Sequence, residues 1–211
     1  MKTSIQILTL VTSGHLAAAN LISHKPSWAF NTAVAAAPIG EIAAFTIPAY
    51  NTRSIPTFLV VTSIQGNYTG KTLTASFSTT GTAPISYYGA GTSWNNCTTP
   101  ANVRFFISST AGYNLNDSSG AGASKYWWSN STNYVFITPT GQYTLTAAVD
   151  PATWSNGLGK TGIDDPAGWT NAITHIYEAG LNFSGGCFYD MGILTTTAAT
   201  DTFHWYNFSV Q

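Results

Sequence analysis

Alternation of apolar and polar side chains is the feature that most restricts what this 211-residue chain can fold into. The segments 72–77, 103–107 and 141–149 each carry apolar residues at every second position. Because successive side chains of a β-strand point to opposite faces, a period of two predicts strands. Further strands are predicted near 57–63, 134–138, 175–183 and 202–210.

The runs are short, rich in Thr and aromatic residues, and bounded by Gly, Asn or Pro, which is typical of an all-β sandwich or barrel. Alternation of strands with helices is absent, so a parallel sheet is not expected. A short helix is predicted near 169–173, where Asp165 and Pro166 form a start signal. We predict one domain, a jelly-roll β-sandwich over residues 20–211.

The N-terminus has the pattern of a secretory signal peptide over residues 1–19. Lys2 supplies a positive charge, residues 5–11 are mostly apolar, and Ala17 to Ala19 provide a cleavage site of small residues. No other stretch approaches the ~18 apolar residues that a membrane span needs. The pattern therefore predicts a secreted, extracellular protein.

Secretion changes how the two cysteines are interpreted. Cys97 and Cys187 are predicted to form a disulfide in an oxidising compartment, and two unpaired buried thiols are the alternative. Glycosylation is also predicted, at sequons that begin at Asn67, Asn96, Asn116, Asn130, Asn182 and Asn207. Asn182 and Asn207 lie in strand-like runs, which argues against modification at those two positions.

Charge excludes some partners. Only 7% of the residues are charged, the net charge is −1, and no basic run is present. A protein that binds nucleic acid or an anionic membrane needs clustered Lys and Arg. Neither partner is expected.

Aromatic residues give the stronger functional signal. In Trp127-Trp128 the two side chains are expected to point to opposite faces of a strand, one into the core and one outward. A flat ring can stack on the apolar face of a sugar while nearby polar groups bind its hydroxyls. The predicted ligand-binding residues are Trp94, Asn95, Arg104, Trp127, Trp128 and Trp205. The segment 202–208 is apolar on both faces, which fits either a central strand covered on both sides or one that lines a groove.

Carboxylates are scarce, which weighs against catalysis. A glycosidase of the common type needs two carboxylates facing one sugar, and Glu41 and Glu178 are the only glutamates. No catalytic residue, cofactor or catalytic metal is predicted. A structural calcium could bind Asp164, Asp165 and Asp201, but helix capping by Asp164 or Asp165 and a turn at Asp201 are the favoured explanation.

Three segments, 126–129, 141–155 and 179–188, together with the terminal Phe-rich strand, resemble the C-terminal half of galactose-binding-like jelly rolls. That group includes many carbohydrate-binding modules, and the resemblance covers roughly residues 57–211. It implies a β-sandwich and makes carbohydrate an expected partner, although a fold does not dictate function. The chain is also similar to small secreted proteins of unknown function.

These observations predict a secreted, non-catalytic, lectin-like protein that binds a glycan or polysaccharide. Two alternatives stay open. A small jelly-roll glycoside hydrolase or polysaccharide lyase would use Glu41, Glu178 or an aspartate in a groove. A secreted cell-wall structural or host-interaction protein would have a flat surface without an aromatic groove.

Overall fold

The computed structural model describes residues 20–24, 31–34, 41–52, 55–61, 63–92, 100–110, 120–130, 133–185 and 191–211. Four predictions concern residues outside this part of the chain: the signal peptide, the cysteine pair, and the candidate ligand residues Trp94 and Asn95. The strands are β1 (Asn20–His24), β2 (Asn31–Val34), β3 (Ala43–Ile47), β4 (Ile55–Val61), β5 (Thr72–Thr80), β6 (Ile85–Tyr87), β7 (Asn102–Ser108), β8 (Tyr126–Ser129), β9 (Tyr134–Phe136), β10 (Gly141–Ala148), β11 (Trp154–Asn156), β12 (Glu178–Ser184), β13 (Ile193–Thr195) and β14 (Asp201–Val210). The helices are α1 (Gly120–Ala123) and α2 (Pro166–Thr174).

The strands form two main sheets, and every pairing among the described residues is antiparallel. The larger sheet has the order β11-β8-β7-β12-β4-β1-β2, with β9 also pairing with β7. The smaller sheet has the order β10-β5-β14-β3, and β6 pairs separately with β13. The predicted all-β sandwich is confirmed.

The core lies between the two main sheets, where inward side chains of β5, β7, β12 and β14 meet. Phe45 of the smaller sheet packs edge-on against Phe183 of the larger one, with ring centroids 5.1 Å apart. Phe208 and Phe105 make a similar contact between the sheets at 6.0 Å. Burying these rings is the main source of stability, since each removes a large apolar surface from water.

The larger sheet is buried on its second face as well. Phe58, Val60, Phe106, Tyr126 and Trp128 form a separate buried cluster there. Every residue of β4, β7 and β12 is accordingly buried. The smaller sheet differs, because the outward residues of β10 are exposed.

The predicted short helix is present as α2, and its start signal works as expected. Asp165 is the N-cap residue, and its side chain accepts a hydrogen bond from the backbone N–H of Gly168 at 3.1 Å. Pro166 occupies the first turn, where its missing N–H costs nothing. Among the described residues, no helix has the length and hydropathy required to cross a membrane.

Candidate functional site

Two of the predicted sugar-stacking residues lie in the core between the sheets. Trp127 is fully buried, packs edge-on against Trp169 at 5.0 Å, and donates its indole N–H to the carbonyl of Ser124. Trp205 is also fully buried and donates to the carbonyl of Asn207 at 3.0 Å. An indole without an exposed face has no surface to offer a sugar, so both residues act in packing.

Trp128 points away from Trp127, as the strand geometry predicts, but its face of the larger sheet is covered too. The Trp128 ring is fully buried and lies 5.4 Å from the ring of Phe106. Its expected outward role in binding is therefore replaced by a role in the second buried cluster.

Arg104 lies on the same side of the larger sheet as Trp128 and is only 7% exposed. Its Nη2 and Nε donate to the Asn102 side-chain oxygen at 2.9 and 3.3 Å. Its guanidinium lies 5.5 Å from the ring centre of Tyr134, a cation–π distance. Arg104 is committed to these intramolecular contacts, and the structure does not bring it together with Trp127 or Trp205 in one site.

A shallow groove of about 430 Å³ is found instead on the outer face of the smaller sheet. Strand alternation turns the polar residues of β5 and β10 towards this face. The groove is lined by Ser76, Phe77, Gln142, Tyr143, Thr144 and Tyr206. We call this set the sheet groove.

A β-bulge in β14 brings Tyr206 to the surface. Trp205 is opposite Phe77 and Asn207 is opposite Ser76, so Tyr206 is an extra residue between two regular pairs. A bulge leaves its extra residue unpaired and redirects the side chain. The Tyr206 side chain is 41% exposed.

Tyr206 is held in place by its neighbours. Its hydroxyl is 2.8 Å from Ser78 Oγ, and its ring is nearly parallel to the His204 ring at 6.2 Å. Tyr143 differs, because its ring lies on the core side of β10 and stacks on buried Phe77 at 5.3 Å, while its hydroxyl accepts the backbone N–H of Thr138. A ring fixed like that of Tyr206 loses little conformational entropy when a ligand binds.

His204 connects the groove to the acidic residue Glu41. The His204 Nδ1 lies 3.1 and 3.2 Å from the two carboxylate oxygens of Glu41. Its Nε2 lies 3.1 Å from the Thr80 hydroxyl. Contacts at both ring nitrogens fix the orientation of the imidazole beside Tyr206.

A second depression, of about 380 Å³, lies beside the β6–β13 pair. It is lined by Tyr50, Ser86, Tyr87, Tyr88, Gly89, Ala90, Thr92, Leu194 and Thr196. We call this set the tyrosine cleft. Tyr50 is 58% exposed at its edge.

The two glutamates do not meet in a groove. Glu41 contacts His204 on the outer face of the smaller sheet. Glu178 is buried and alternates with Leu181 and Phe183, so it faces away from the core on the larger sheet. The thickness of the sandwich thus separates the pair, which is unlike a hydrolase site with two facing carboxylates.

The aspartates considered for calcium make local hydrogen bonds. Asp164 accepts from the Thr161 hydroxyl and amide at 2.7 and 3.0 Å, and these bonds lower the pKa of its carboxyl. Asp201 accepts from the amides of Thr82 and Ala83. Within the described residues, no group of three or more His, Cys, Asp or Glu is placed to hold a metal ion.

The sequence contained a signal for Tyr206, since the run 202–208 is apolar on both faces and could line a groove. Gln142 and Tyr143 carried no such signal, because they look like ordinary members of an alternating strand. Comparison with known families, curated proteins and solved structures finds no match to this chain.

Proposed function

We propose that this protein is a secreted, non-catalytic glycan-binding protein and that the sheet groove holds the sugar. The observation that carries the proposal is the exposed ring of Tyr206 beside the polar groups of Ser76, Gln142 and Thr144. A pyranose has an apolar face that packs on an aromatic ring and hydroxyls that exchange hydrogen bonds with amide and hydroxyl groups.

The surroundings of the groove favour a neutral ligand. All six lining residues are uncharged. Glu41, the nearby carboxylate, is already bonded to His204. An anionic sugar would lose hydration without gaining a cationic partner from these residues, and burying an unpaired charge is costly. Uncharged polysaccharides are therefore the expected class.

Binding without hydrolysis is the better explanation of the groove chemistry. Common glycosidases place two carboxyl groups about 5 to 10 Å apart across the scissile bond. No lining residue of the sheet groove is an acid. The resemblance to jelly rolls that include carbohydrate-binding modules points in the same direction.

The test is retention of the full chain on insoluble neutral polysaccharides, combined with a glycan array. Tyr206→Ala is expected to weaken binding by roughly tenfold or more, equivalent to about 1.4 kcal/mol, because it removes the stacking surface. Gln142→Ala is expected to weaken it less. Tyr177→Ala is the matched control, since Tyr177 is 38% exposed and lies outside the groove.

Two outcomes would contradict the proposal. One is the absence of retention on every neutral glycan by a folded wild-type protein. The other is binding that survives Tyr206→Ala but is lost in Tyr50→Ala, which would assign the binding site to the tyrosine cleft.

A further inference from the structure

Three sequons lie wholly within the described residues, and the fold places them in very different surroundings. They begin at Asn67, Asn182 and Asn207. An N-glycan is bulky and hydrated, so the acceptor asparagine has to lie at the surface, as a rule in a loop. The structure can therefore separate sequons that the sequence motif treats alike.

Asn67 lies in the connection between β4 and β5, outside any strand, and both Asn67 and Thr69 are exposed. The Asn67 side-chain oxygen accepts the backbone N–H of Thr69 at 2.8 Å, which holds the two sequon residues together. The space around the turn is open, since an added Cβ at Gly66 or Gly70 would meet no atom within 4 Å.

The turn is also held by hydrogen bonds of Tyr68, so Asn67 is exposed on a fixed backbone. The amide of Tyr68 donates to the carbonyl of Ile173 at 2.7 Å. The Tyr68 ring is buried, and its hydroxyl donates to the carbonyl of Ile64. Tyr68 thus fixes the backbone of the turn with its side chain in the core, and the adjacent Asn67 faces the solvent.

Asn182 is in the opposite situation. It is fully buried in β12, between β4 and β7, and its amide nitrogen donates to the carbonyl of Thr57 at 3.1 Å. A glycan on this nitrogen would break the bond and would have to occupy the buried outer face of the larger sheet, beside Phe58.

Asn207 is exposed but belongs to the paired strand β14. Asn207, Phe208 and Ser209 are in register with Ser76, Ala75 and Thr74 of β5, and Phe208 is buried. A glycan at Asn207 would lie over Ser76 in the sheet groove.

We propose that Asn67 is an N-glycan acceptor and that Asn182 and Asn207 remain unmodified. In the transfer step, the Asn67 Nδ2 forms a bond to the anomeric carbon of a lipid-pyrophosphate-linked oligosaccharide supplied by a eukaryotic secretory pathway. The bond from that carbon to the pyrophosphate oxygen breaks, the lipid pyrophosphate leaves with the bonding electron pair, and the proton lost by the amide passes to the solvent.

The experiment is expression of the full chain in a yeast secretory host, followed by glycopeptide mapping with and without an enzyme that releases N-glycans. We expect a glycan at residue 67 in the wild-type protein and its loss in Thr69→Ala, which keeps Asn67 and the backbone donor. Ser184→Ala and Ser209→Ala remove the other two sequons without changing their asparagines and are expected to leave the glycan pattern unchanged.

The inference is overturned if folded wild-type protein carries no glycan at Asn67. A glycan mapped to Asn182 or Asn207 overturns it equally. Because mapping reads the wild-type chain directly, a variant that fails to fold does not affect the result.

Discussion

The outer faces of the two sheets are built from the same alternating pattern but have opposite surroundings. On the larger sheet, the outward residues Phe58, Phe106 and Trp128 are fully buried in a second cluster. On the smaller sheet, the outward positions of β10 carry Gln142, Thr144 and Thr146, which are exposed. One face contributes packing, and the other is available to a ligand.

Residue type alone therefore does not show which outer face of this chain is exposed. The large aromatic rings that suggest a sugar platform are used inside the protein, where they remove the most apolar area from water. The exposed face instead combines small hydroxyl residues with a single outward tyrosine, Tyr206. Three substitutions test the contrast between the two faces, and a fourth lies outside both.

The largest effect is expected for Phe106→Ala on the larger sheet. Phe106 is fully buried and lies 4.7 Å from the ring of Phe58 and 5.4 Å from that of Trp128. Truncating a buried Phe leaves a cavity and lowers the free energy of unfolding by about 3–5 kcal/mol. Chemical denaturation should give that loss, whereas exposed Thr144→Ala should change it by less than about 0.5 kcal/mol. Equal small losses would mean that the two faces do not differ.

Gly180→Ala should have a smaller but substantial effect. An added Cβ at Gly180 would overlap the carbonyl oxygen of Leu59 on the neighbouring strand. The backbone must move to relieve this contact, at a cost of about 1–3 kcal/mol. Thermal unfolding should show the shift, with exposed Thr146→Ala as the control. An unchanged melting temperature would show that the larger sheet tolerates bulk on its outer face.

Tyr206→Phe tests the smaller sheet. It removes the hydroxyl that lies 2.8 Å from Ser78 Oγ but keeps the ring. The free energy of unfolding should fall by about 0.5–1.5 kcal/mol, the net value of a typical hydrogen bond. Retention on a neutral polysaccharide should fall less than in Tyr206→Ala. If the two variants bind equally poorly, the hydroxyl and not the ring carries binding.

Asp164→Asn, outside both faces, should give the smallest effect. Hydrogen bonds from the Thr161 hydroxyl and amide hold the pKa of the folded Asp164 carboxyl below its ordinary value of 3.8. The ionised group therefore stabilises the fold above that value, and this contribution is lost as the pH falls through the lower, folded pKa. Thermal unfolding of Asp164→Asn and wild type should differ slightly at pH 6 and converge at low pH. Divergence on acidification would contradict the assignment.

Much of the fold could be predicted because the alternation of apolar and polar residues follows directly from the geometry of a strand. The runs at 72–77, 103–107 and 141–149 correspond to β5, β7 and β10. The prediction that Trp127 and Trp128 point to opposite faces is also confirmed, since Trp127 lies in the core and Trp128 in the second cluster.

The site was harder to predict for two physical reasons. Whether an outward face is covered depends on tertiary packing, so the sequence pattern around Trp128 and Arg104 does not distinguish a platform from a second core. The bulge at Tyr206 depends on how many residues the partner strand β5 places opposite it. Neither property is local in the sequence.

The bulge in β14 sets the length of this strand relative to its partner β5. Trp205 and Asn207 are opposite Phe77 and Ser76, which are neighbours in β5, so the ladder is complete without Tyr206. The strand is one residue longer than its pairing requires, and the surplus residue is the one whose ring reaches the solvent. A chain shortened by that residue would keep Trp205 and Phe208 facing inward and Asn207 facing outward. The exposed tyrosine is thus a one-residue insertion that the strand pairing accommodates but does not require.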